Sequence, residues 1–76
     1  MSNLPSALEP DRWITHVFSS RAAAEGGVVR RSLEDVERIV GRDRFLSEID
    51  RRGFRAVLNA GQVVIFCTRE PIRPLR

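Results

Sequence analysis

All 13 cationic side chains of this chain are arginine, and together with one histidine and one cysteine they are the residues whose types suit chemistry. A guanidinium is always charged, and its planar fork of donors meets phosphate or carboxylate oxygens in pairs, so the chemistry on offer is anion recognition. Coding bias in a GC-rich genome accounts for the lack of lysine more simply than selection for phosphate does. The distribution says more. Residues 1–50 hold 7 Arg against 9 acids, a net of −2, whereas residues 51–76 hold 6 Arg against Glu70 alone, a net of +5. A positive field concentrated in the C-terminal third suits an anionic partner, DNA or RNA.

The other reactive types offer less. His16 stands among Ile14, Val17 and Phe18 with no second histidine and no CxxC pair, so it reads as a packed or edge residue and not as a metal ligand or general base. Cys67 lies in the most apolar segment, where a lone thiol behaves as a small hydrophobe; Arg69, two residues on, is the one neighbour that would activate it. No nucleophile, base and orienting group come together, and no nucleotide-binding loop is present. Neither an enzyme nor a cofactor is expected.

These residues must be positioned by a single small domain. The expected organisation is a flexible tail over 1–10, an α+β domain over 11–69 and an extended Arg/Pro tail over 70–76. About 60 ordered residues bury only about 60% of their unfolded surface, so a homodimer or another protein partner is a sensible expectation. No apolar run approaches the roughly 18 residues that cross a bilayer, and Met1 to Pro10 has no basic start followed by an apolar block. No membrane contact is expected, and the cytoplasm is the default location.

Along the chain, Asp11 suits an N-cap, and Trp13, Ile14, Val17, Phe18 and Ala22 fall within one half of a helical wheel, predicting a helix that ends at Gly26-Gly27. The competing reading is a strand, because Trp13, Ile14, Thr15, Val17 and Phe18 favour β structure, but their adjacent apolar pairs fit a helix better than alternation. Residues 28–31 read as a brief edge strand. Ser32 with Asp35 forms a capping-box-like start. A single helix over residues 33–52 fails the wheel test: Leu33, Val36, Ile39 and Val40 occupy an arc about 140° from Phe45, Leu46 and Ile49. Two helices, 32–40 and 43–52, are expected instead, with Gly41 ending the first and Asp43 capping the second. Gly53 stops the second, and residues 54–58 and 62–68 form a hairpin through a three-residue loop, Asn59-Ala60-Gly61. Val63 to Cys67 are apolar without alternation, so both faces of that strand are covered or one awaits a partner.

This order of helix, short strand, two short helices and C-terminal hairpin resembles the winged-helix arrangement over about residues 11–68. The resemblance implies that the helix over 43–52 enters a DNA groove and that the hairpin acts as a wing. On that footing Arg44, Ser47, Glu48, Arg51 and Arg52 face the groove, while Arg55 and Asn59 touch backbone. Against it, Asp43, Glu48 and Asp50 balance Arg44, Arg51 and Arg52. The alternative fold is a three-stranded sheet backed by helices (βαββ), with strand 62–68 central between 54–58 and 28–31.

The functional expectation is a nucleic-acid-associated module binding phosphate backbone through Arg30, Arg31, Arg44, Arg51, Arg52, Arg55, Asn59, Arg69 and Arg73. Gathering of the arginine groups on one face requires the short strand to join the hairpin. The alternative is a protein-interaction or homodimerisation module that docks through the edge of the apolar strand 62–68. Trp13, Phe18, Phe45, Phe54 and Phe66 are spaced as core residues, with Phe54, between Arg52 and Arg55, the single candidate for base stacking.

Overall fold

A computed structural model describes residues 9–76. Pro10 opens the first helix, α1 (Pro10–Phe18), where its fixed φ and missing N–H cost nothing, and Ile14, Val17 and Phe18 form the buried stripe. The expected continuation through Glu25 is interrupted: the Ser19 hydroxyl donates back to the Thr15 carbonyl at 2.6 Å, and Ser20 caps a separate short helix, α2 (Arg21–Ala24). Two serines offer the backbone alternative partners, and here they break the helix. Asp11 is inside the first turn and does not cap it; the N-cap is Glu9. The tail expected over 1–10 falls outside the described residues up to Leu8, and Pro10 is already helical.

After α2 come β1 (Val28–Ser32), α3 (Leu33–Ile39), α4 (Arg42–Arg52), β2 (Arg55–Asn59) and β3 (Gln62–Phe66). Ser32 caps α3 as its sequence position predicts, its hydroxyl accepting from the Asp35 amide at 3.3 Å. The chain does break at position 41. Gly41 has φ 95° and ψ 142°, a conformation that L side chains avoid, and it serves as the N-cap of α4 without any side-chain cap. Asp43, expected as that cap, lies in the first turn, where its charge faces the positive end of the helix.

The three strands form one antiparallel sheet in the order β1-β3-β2, so the apolar strand is central, as the three-stranded alternative requires. The hairpin loop is shorter than expected. Asn59 pairs with Gln62, leaving only Ala60 and Gly61, with φ of 52° and 76°. Positive φ at both central residues marks a primed turn, whose twist matches that of the strands it joins, and Ala60 takes the left-handed conformation to supply it.

Register assigns each side chain to a face. Val29, Ile65 and Ala56 share one side, while Val28, Phe66 and Arg55 share the other. The first side is the core, where Val29, Val63, Ile65 and Cys67 meet Ile14, Val17, Val36, Phe45 and Ile49 of the helices. Trp13, Phe18, Phe45 and Phe54 stack within it, with centroids 6.0 Å apart in three tilted pairs. Phe66 does not belong there. Glu70 to Arg76 carry no helix or strand and are exposed. None of the helices among the described residues is long and apolar enough to cross a membrane.

Candidate nucleic-acid interface

The arginines fall into two populations according to whether a carboxylate meets them. Those of α4 are met. Arg44 pairs with Asp11, tying α4 to α1, and Arg51 and Arg52 both bind Glu48, whose side chain is only 15% exposed. Both arginines hold the Glu48 carboxyl below its ordinary range, chiefly through the Arg51 hydrogen bond and against the opposing effect of burial. The Arg52 guanidinium also lies 4.5 Å above the centre of the Phe18 ring, a cation–π contact that fixes it to the fold. Glu48, expected to face a groove beside Arg44, Ser47, Arg51 and Arg52, instead turns back to neutralise two of them. Arg21, Arg38 and Arg42 are likewise paired, with Glu25, Asp35 and Glu37.

Arg12, Arg30, Arg31, Arg55, Arg69, Arg73 and Arg76 have no carboxylate within ion-pair distance among the described residues. β1 joins the hairpin, which meets the condition for the arginine groups to gather, and the register shows how far they do. Arg30 stands opposite Val64 and Arg55 opposite Phe66, so both point from the outer face of the sheet, one on each edge strand with β3 between them. Arg31 alternates to the core side and donates to the Arg30 carbonyl at 2.6 Å. Arg69 donates to the Arg52 carbonyl at 3.3 Å, where a cation satisfies the C-terminal end of α4. Asn59 ends β2 beside Gln62, and Arg73 is exposed in the terminal segment. The outer face thus gathers Arg30, Arg55 and Asn59, while Arg31, Arg44, Arg51, Arg52 and Arg69 lie elsewhere.

Two features are not legible in the sequence. Its spacing sets Phe66 with the core aromatics, but the residue is half-buried on the outer face, and neither it nor Val64 is part of the core cluster. Phe54, the expected stacking residue, packs on Phe18 instead. The signal for Phe66 is the unbroken apolar run of β3, which serves two faces of which only one meets helices. The second feature is an apolar cleft of about 180 Å³ where α3, α4 and β2 meet, lined by Leu33, Val36, Phe45, Leu46, Leu58 and Val63. Leu46 and Leu58 are 45% and 59% exposed there.

The remaining reactive types are one cysteine and one histidine. Cys67 is buried, and desolvation pushes its thiol up, against a smaller opposing influence of Arg52. His16 is exposed on α1, and no group of three or more His, Cys, Asp or Glu side chains is placed to hold a metal among the described residues. The chain matches no protein-family model, no curated protein and no solved structure.

Proposed function

We propose that this chain is a small nucleic-acid-associated module that holds phosphate backbone with Arg30 and Arg55 on the sheet and Arg73 in the terminal segment, and not with α4. One observation carries the reading: every arginine of α4 already has a carboxylate partner, whereas the sheet and terminal arginines have none among the described residues. A phosphate approaching α4 must compete with Asp11, Glu37 or Glu48, while one approaching the outer face meets cations with their donors turned to water. The groove-reading role implied by the winged-helix resemblance finds no support in a helix so neutralised.

The test is a titration of labelled oligonucleotide at two salt concentrations. Arg30→Gln and Arg55→Gln should each weaken binding and flatten the dependence of log K on log salt by about 0.7 to 0.9 for every phosphate left without its cation. Arg44→Gln should leave that slope unchanged. Binding that is absent, or insensitive to salt, rejects the proposal.

A second reading is a protein-interaction or self-association module, favoured by the exposed Leu46 and Leu58 beside the α3/α4/β2 cleft. Its route differs from the one expected. β3 is hydrogen-bonded to β1 on one side and β2 on the other, so no partner strand can add to it, and the edges open for addition are those of β1 and β2. Under this reading Leu58→Glu disrupts a concentration-dependent complex that nucleic acid does not affect.

A further inference from the structure

We infer that the outer face of the sheet is a stacking platform for single-stranded nucleic acid, with an unpaired base on Phe66 and the flanking phosphates on Arg30 and Arg55. This deepens the nucleic-acid reading above and rests on it.

The argument begins with the register. Two adjacent rows cross the face, Val28–Phe66–Arg55 and Arg30–Val64–Val57, and a third, Ser32–Gln62–Asn59, closes one end. An apolar strip of Val64 and Phe66 therefore runs down the middle, bordered on each edge strand by one valine and one arginine, the two cations standing diagonally. Val28 and Val57 are 43% and 47% exposed, whereas Phe66 is half-buried and Val64 only 9% exposed, and neither Val64 nor Phe66 belongs to the cluster packed against the helices. Neighbouring strands lie about 4.8 Å apart, so the two outer strands are about 10 Å from each other, a span on which one base can lie while its backbone reaches a guanidinium at either side.

Charge narrows the occupant. The nine residues of the three rows include Arg30 and Arg55 and no aspartate or glutamate, so the partner is anionic. A second copy laid face to face would set four guanidiniums around one apolar strip, and like charges so placed oppose association. A duplex presents phosphates but keeps its bases sealed in the stack, leaving the Phe66 ring uncovered. A single strand supplies both the anionic backbone and a flat apolar surface for the ring.

The experiment titrates the full chain with a labelled mixed-sequence 12-mer single strand, the corresponding duplex, and polyglutamate. The single strand should bind at least about tenfold more tightly than the duplex. Phe66→Leu should lower single-strand affinity by about 5- to 150-fold, the range of one base–aromatic stack, leaving the salt slope and duplex affinity unchanged. Phe66→Trp should retain binding. Amide shifts on adding the single strand to the native chain should concentrate at Arg30, Val57 and Phe66, a readout that does not depend on how well any variant folds. Equal binding of single strand and duplex, or shifts confined to α4, overturns the platform while leaving phosphate binding intact. Absence of binding to either oligonucleotide overturns both readings. Polyglutamate that competes as well as the single strand assigns the face to an acidic protein and overturns the platform too.

Discussion

Glu48 shows how one side chain decides what its neighbours can do. In sequence it is one of three acids that balance three arginines on the same helix, and counting charges leaves α4 merely neutral. In three dimensions it is largely buried and takes two of those arginines at once, Arg51 from three residues on and Arg52 from four, so an external anion must compete with it for either. The same arrangement makes stability depend on acid. Because the folded carboxyl is held below its ordinary value of 4.5, its stabilising contribution is complete above about pH 4.5 and disappears as pH falls through the lowered folded value. Glu48→Gln should therefore be less stable than the native chain at neutral pH, with the gap closing below pH 4.5. Chemical denaturation across pH 2 to 7 measures it, and a gap independent of pH would show that Glu48 stays equally charged in the folded and unfolded chains.

At the scale of elements, Gly41 is the point on which the arrangement turns. Its φ of 95° ends α3 and starts α4, and a Cβ added there would meet nothing within 4 Å, so any cost of a side chain is conformational and not steric crowding. Gly41→Ala should destabilise the fold by about 1–3 kcal/mol, measured by denaturant unfolding; an unchanged midpoint would mean that the junction does not need this conformation. The break is legible in the sequence because two apolar arcs on opposite sides of a wheel cannot face one core. The break at Ser19 and Ser20 is not, since Trp13 to Ala22 keep a single consistent arc through it and only the hydroxyl contacts reveal the interruption. The hairpin is legible from Gly61, but its length is not. Asn-Ala-Gly serves a three-residue loop as readily as a primed two-residue turn, and the choice falls to the pairing of Asn59 with Gln62.

For the molecule as a whole, the charge asymmetry of the two ends can be counted from the sequence, but its meaning cannot. Of the arginines after residue 50, Arg51 and Arg52 are held by Glu48 and Arg69 is bonded to the end of α4, which leaves Arg55, Arg73 and Arg76 without an internal partner among the described residues. Arg30 joins them only because an antiparallel register brings β1 beside β3, a long-range pairing that no local pattern contains. Two of these four cations lie beyond the last strand, in a segment that contributes charge without contributing to the core. Removing residues 71–76 should accordingly change folding stability by no more than about 0.5 kcal/mol, while flattening the salt dependence of single-strand binding by about 0.7 for each of Arg73 and Arg76 that contacts a phosphate. Thermal melting and titration at several salt concentrations separate the two effects. A shortened chain that unfolds would make the segment part of the fold, and an unaltered slope would confine phosphate contact to Arg30 and Arg55 on the sheet.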